Sequence, residues 1–172
     1  GYVSEVGQGV TRFRKGDRVT SFVPTGAYAE ECTAFSHRTF HVPDAIPFHQ
    51  SIAFTSSYMT SYIALVWPQW IHLQAGETLL IHGAAGGVGT IAIDLAKILG
   101  ATVIATCGSE EKMHVCERHG GDHVINYRTE DFRERVLAIT DHEGVNAVYD
   151  PVGGDVFMQS LRCMAPEGRI IP

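Results

Sequence analysis

The chain has 172 residues, 45% hydrophobic and 19% charged, with a net charge of -6. That is the make-up of a globular protein of one domain or parts of two, and an acidic chain without a basic stripe gives nucleic acid no expected footing. No apolar run reaches the roughly 20 residues that span a bilayer, and no signal-peptide pattern opens the chain.

From Gly1 to about Val42 the pattern is β. Glycines alternate with short β-branched runs, a turn falls at Arg14-Lys15-Gly16-Asp17, and Arg18-Val19-Thr20 follows. A second strand is expected around Tyr28–Thr33. Pro47 suits a first helical position, where its missing N–H would be unpaired anyway. Ile52, Tyr58, Met59, Tyr62, Ile63 and Val66 then give a helix over about 48–66 its apolar face. Trp67-Pro68 ends it.

After Gly76 the pattern alternates strand and helix. Strands are expected at about 78–82, 102–106, 123–126, 147–149 and 169–171. Helices are expected at about 87–99, 110–119, 130–139 and 156–164. Alternating βα units imply a doubly wound parallel sheet with right-handed crossovers. The domain division expected from these patterns is 1–45 and 46–172.

The first of these units carries the strongest motif. Leu79-Leu80-Ile81 runs into Gly83-Ala84-Ala85-Gly86-Gly87-Val88-Gly89, which opens a helical pattern and leads to a second β-branched run. Such a strand–turn–helix–strand unit of about 30 residues is the setting of a dinucleotide-binding loop. Glycine lets the backbone approach a pyrophosphate, and the helix start offers free N–H groups. Ala84 stands where the first glycine of the strict motif falls; Gly86 and Gly89 match the second and third.

An NAD-selective site has an acid about 20 residues beyond the loop, accepting from the ribose 2′-hydroxyl. Here the second strand ends Thr106-Cys107-Gly108-Ser109 with no acid. Ser109 and Lys112 can meet a 2′-phosphate, which favours NADP, although Glu110 and Glu111 stand close by. Ser109 reads equally well as a helix N-cap, and both roles are compatible. Tyr127 closes the third strand, where it could flank that phosphate or simply cover the core. Asp150-Pro151-Val152-Gly153-Gly154 follows the fourth strand at the carboxyl edge, where ligands bind in open α/β sheets. Small residues there would let a nicotinamide ring lie close, or form a plain loop.

None of the nine histidines has the spacing of a zinc enzyme, and no Ser-His-Asp set or GxSxG is present. Cys32, Cys107, Cys116 and Cys163 form no CxxC pair. Free thiols in a reducing compartment, the cytoplasm or an organelle matrix, are expected. The start at Gly1 inside strand-like sequence, and the end on Arg169-Ile170-Ile171-Pro172, suggest a fragment of a longer protein.

Several stretches together resemble the medium-chain dehydrogenase/reductase superfamily, in its zinc-free quinone oxidoreductase (zeta-crystallin-like) branch. They are G-x-V-x-x-V-G-x-G-V-x-x-F-x-x-G-D-R-V over Gly1–Val19, Gly26-Ala-Tyr-Ala-Glu30, His82-Gly-Ala-Ala-Gly-Gly-Val-Gly89, Gly108-Ser-x-x-Lys112, Val124-Ile-Asn-Tyr127 and Tyr149-Asp-x-Val-Gly153. The resemblance implies a Rossmann-type NADP-binding domain, truncated at its C-terminal end, with part of a GroES-like β-barrel catalytic domain. It implies NADPH as hydride donor, a quinone or activated alkene as acceptor, no zinc, and a homodimer in the full-length protein. It places Gly86, Gly87 and Val88 at the pyrophosphate and Ser109, Lys112 and Tyr127 around the 2′-phosphate. Thr60, Val152 and Gly153 fall near the nicotinamide, Thr60 on resemblance alone. No catalytic side chain is assigned. An enoyl or alkenal reductase, including an enoyl-reductase module, is the alternative enzyme; a non-catalytic NADPH-binding protein is the alternative outside catalysis. The isolated fragment is expected to be a poor enzyme.

Overall fold

The computed structural model describes all residues, Gly1–Pro172. The chain forms two compact units, Gly1–Met59 and Thr60–Pro172. They divide inside the helical stretch that the sequence patterns assign whole to the second domain, beyond the expected 45/46 boundary.

In the first unit, β1 (Val19–Ser21) pairs antiparallel with β2 (Thr39–His41), Val19 opposite His41. Tyr2 adds a single antiparallel bridge to Arg18. The Arg14–Asp17 turn forms as expected: Asp17 accepts from the Arg14 backbone N–H at 3.0 Å, and Gly16 sits at φ +92. The expected strand at Tyr28–Thr33 does not form. Its side chains are exposed on both faces, so no buried set pulls it into a sheet, and Thr39–His41 takes the place beside β1.

The expected helix over 48–66 is interrupted. α1 (Phe48–Ala53) and α2 (Met59–Val66) are joined by a π-helical turn, Phe54–Tyr58. Pro47 sits one position earlier than expected, at the N-cap with extended backbone (φ -61, ψ 146). Its carbonyl accepts from Gln50 and Ser51. Phe48 is held by Tyr2 edge-on at 5.1 Å and by the Arg18 guanidinium 4.3 Å above its ring.

The second unit is an all-parallel five-stranded sheet in the order β5-β4-β3-β6-β7. Its strands are β3 (Thr78–Ile81), β4 (Thr102–Cys107), β5 (His123–Asn126), β6 (Val145–Tyr149) and β7 (Met164–Ile171). The helices between them are α3 (Gly87–Ile98), α4 (Glu110–Arg118), α5 (Phe132–Ile139) and α6 (Asp155–Ser160). The pleat sends alternate strand residues to opposite faces. Leu79, Ile81, Val103, Ala105, Ala147 and Tyr149 pack under α2, α3 and α4. Leu80, Ile104, Ile125 and Val148 pack against Phe132 and Val136 of α5 and against Cys163. Burial on both faces explains why these strands read as unbroken apolar runs.

Three boundaries shift for local reasons. α5 starts at Phe132, because Asp131 accepts from the Glu134 N–H at 3.1 Å and so caps the helix. α6 stops at Ser160, a 3₁₀ turn (Leu161–Cys163) follows, and Met164 already belongs to a strand. β7 is therefore longer than the expected 169–171. Its register against β6 slips between Val145 and Ala147, with Glu167 at φ +62. Gly144 lets the chains meet there: a Cβ on it would lie 2.6 Å from the Met164 carbonyl carbon.

Candidate functional site

The strand order reverses about β3, with β4 on one side and β6 on the other. Ligands of open α/β sheets lie outside the carboxyl ends at such a switch point. The expected site residues of the second unit lie on the four segments that leave β3, β4, β5 and β6 at that edge, and on α2.

After β3, the glycine loop turns sharply. Gly83 takes φ +60, the Ala84 N–H donates to the Thr106 carbonyl at 3.1 Å, and the Gly86 N–H donates back to the Gly83 carbonyl at 3.0 Å. Gly86 then N-caps α3 with extended backbone and no side chain to occupy the helix end. A Cβ on Gly89 would stand 2.6 Å from the Ala84 carbonyl oxygen, so only glycine allows α3 to pack this closely on the loop. Gly86 and Gly87 are exposed and Val88 is half-buried. The helix start thus presents backbone rather than side chains, a surface that fits a pyrophosphate.

After β4, Ser109 is the N-cap of α4, and its hydroxyl accepts from the Lys112 N–H at 3.4 Å. The cap reading of Ser109 holds; its second lone pair stays available. Lys112 is exposed and makes no ion pair. Tyr127, one residue past β5 and half exposed, lies across the end of β4. A Cβ on Gly108 would come within 2.5 Å of the Tyr127 hydroxyl. Gly108 thus sets Tyr127 beside the start of α4, whose cap and first turn carry Ser109, Glu110, Glu111 and Lys112.

After β6, Asp150 is buried and turns the chain outward. Its Oδ1 accepts from the backbone N–H groups of both Val152 and Gly153 at 3.0 Å. Gly153 (φ +73) and Gly154 (φ +58) take backbone angles that other residues rarely adopt. Val152 is exposed and Gly153 half-buried. This turn meets the glycine loop: a Cβ on Gly83 would lie 3.8 Å from the Pro151 ring.

On α2, Thr60 is exposed and its neighbour Ser61 is fully buried. The Ser61 hydroxyl donates to the Val88 carbonyl at 3.1 Å, tying α2 to the first turn of α3.

Beneath the loop lies His82, 2% exposed. Its Nδ1 is 2.9 Å from the Thr106 hydroxyl and its Nε2 is 2.9 Å from the Ser160 hydroxyl. The Ser160 hydroxyl donates its one proton to the Val156 carbonyl at 2.8 Å. Nε2–H must therefore donate to Ser160, and Nδ1 accepts from Thr106. The imidazole is neutral with its tautomer fixed. Burial pushes its pKa down to about 4, against the opposing pull of the Asp150 carboxylate.

Residues 87–172 match the family described as zinc-binding dehydrogenase. The chain belongs to this family. It stands in the zinc-free quinone oxidoreductase branch of the medium-chain dehydrogenase/reductase superfamily. It is 41% identical over 172 residues to a quinone oxidoreductase of Pseudomonas aeruginosa, covering 99% of this chain and 52% of that protein. It is 40% identical over 170 residues to a 2-haloacrylate reductase of Burkholderia sp, covering 96% and 50%. The crystal structure of Escherichia coli quinone oxidoreductase complexed with NADPH matches with a TM-score of 0.89 and 36% identity, covering 100% of this chain and 56% of that one. The chain spans about half the length of the curated relatives it matches.

For this member of the zinc-binding dehydrogenase family, the structure holds no group of three or more His, Cys, Asp or Glu side chains placed to share a metal ion. No helix is long and apolar enough to cross a membrane. Three residues escape a reading by motif alone: His82, Asp150 and Ser61. His82 and Ser61 act through groups distant in sequence, and Asp150 through the next turn, which only its Asp-Pro-x-Gly spacing signals.

Proposed function

We propose that this chain is the cofactor-binding part, with some of the catalytic part, of an NADPH-dependent, zinc-independent oxidoreductase that reduces a quinone or activated alkene. The observation that carries the reading is the cluster at the ends of β4 and β5. Gly108 leaves room for Tyr127, Ser109 offers a hydroxyl, and the Lys112 ammonium has no carboxylate partner. A dianionic 2′-phosphate fits such a set, and a ribose diol does not require it.

NADPH, when bound, supplies the hydride; the protein supplies orientation and electrostatics. Gly86, Gly87 and Val88 hold the pyrophosphate with backbone N–H groups at the start of α3. Ser109, Lys112 and Tyr127 hold the 2′-phosphate. Thr60, Val152 and Gly153 border the nicotinamide end, where small or backbone groups allow close approach. The activated-alkene arm of the reading draws on the likeness to a 2-haloacrylate reductase. In the whole protein, two copies are proposed to associate.

The test is a fluorescence titration of Lys112→Ala with NADPH and with NADH. Loss of a charge-assisted contact should weaken NADPH binding about tenfold or more and leave NADH within about twofold. Equal losses would remove Lys112 from the phosphate site. Acceptors are then separated by a panel of quinones against enoyl thioesters. Tight NADPH binding with no oxidation by any acceptor would point to a non-catalytic binder.

A further inference from the structure

We propose that Asp150 is a positioning residue for the nicotinamide end of the cofactor: its carboxylate, buried under the sheet edge, holds the Pro151–Gly154 turn in the shape that NADPH meets. This rests on the functional reading above and goes beyond it, because Asp150 itself lies out of a ligand's reach at 1% exposure.

The turn has little else to hold it. Pro151, Val152 and Gly154 are exposed, and Gly153 and Gly154 both take left-handed φ values. Two consecutive glycines give an unfixed chain many conformations, so an anchor is needed to select one. That anchor is Asp150 Oδ1, which takes the N–H groups of both Val152 and Gly153 at 3.0 Å. Asp150 is itself fixed, since its backbone N–H donates to the Ile171 carbonyl of β7 at 2.8 Å. The anchored turn rests against the glycine loop through Pro151 and Gly83. A slack turn would therefore shift beside the loop at which the pyrophosphate ends and the nicotinamide begins.

Only one carboxylate oxygen does this work. Oδ2 is buried and has no hydrogen-bond partner. An amide oxygen can accept the same two N–H groups, so the task depends on the acceptor and not on the charge.

The experiment compares the unaltered chain, Asp150→Ala and Asp150→Asn, titrated with NADPH and with 2′,5′-ADP, which carries the adenosine half alone. Asp150→Ala should bind NADPH about tenfold more weakly and blunt the rise in nicotinamide fluorescence, while 2′,5′-ADP binds within about twofold of normal. Asp150→Asn should restore NADPH binding to within about threefold. Asp150→Ala binding NADPH normally, losing both ligands equally, or being matched in its loss by Asp150→Asn would each overturn the proposal. If Asp150→Ala does not fold, Asp150→Ser, with one short acceptor, replaces it and should fall between the other two. Failure of the unaltered chain to bind NADPH would remove the cofactor reading and this inference with it; binding that Asp150→Ala leaves intact removes this inference alone.

Discussion

The two compact units use their apolar residues differently. Thr60–Pro172 closes two cores, one on each face of its sheet, and most residues of β3, β4 and β6 are buried. Gly1–Met59 buries few side chains, chiefly Phe13, Val42, Thr39, Ser51 and Thr55, and leaves Tyr28, Phe22 and Phe35 exposed. Its shape rests on turns, single bridges and ring contacts. A dense core makes a unit both stable and readable, because each buried strand must show an apolar run. A sparse one leaves its path to local bonds that composition hardly records.

The largest expected effect sharpens that contrast. Leu80→Ala, in the central strand with neighbours on both sides, should cost about 4 kcal/mol in urea denaturation. Phe13→Ala, the corresponding change in the first unit, should cost about 3 kcal/mol, the low end for a buried phenylalanine, because its surroundings can collapse more easily. Equal costs would break the comparison.

Next comes acid sensitivity, whose largest source lies in the dense unit. His82 is held near pKa 4 when folded, against an ordinary value of 6.5. Between those values the unfolded chain takes up a proton that the folded chain refuses. Stability should therefore fall as pH drops from 6.5 towards 4, by up to about 3 kcal/mol, and gain nothing from this group above pH 6.5. Denaturation curves of the unaltered chain and His82→Gln across that range should diverge near neutrality and converge at low pH; parallel curves would clear His82 of the effect.

The smallest effect is Ser109→Ala. Loss of the α4 cap should cost about 1 kcal/mol by thermal melting. A further loss of NADPH affinity beyond that of NADH would show the second use of the same hydroxyl.

The same contrast governs how much was legible. β3 and β4 fall within one residue of expectation because their apolar runs are buried, and α4 does so because Ser109 caps it; β5 falls at the expected residues. The first half of β7 was hidden, because Pro166 and Gly168 read as breakers while the fold uses them at a register slip. Tyr28–Thr33 has strand-like residues and no partner to pair with. In the candidate site, the glycine spacing was legible as the loop after β3, and the fold sets that loop at the carboxyl edge of the sheet. Asp150 showed only the spacing of a side-chain-capped turn, and His82 did not declare its role, which depends on Thr106 and Ser160 brought within 3 Å only by folding.

The parallel sheet also dictates an order of events in time. Leu79 pairs with Val103 on one side and with Ala147 on the other. The first partner is one helix away along the chain, the second several elements away. Closing the longer loop costs more entropy, so β3, β4 and β5 should assemble early and β6 dock late. A chain emerging residue by residue would complete the edge formed by β3, β4 and β5 well before the turn after β6 exists. In stopped-flow refolding, Val103→Ala should slow the folding limb, and Val148→Ala should chiefly hasten unfolding.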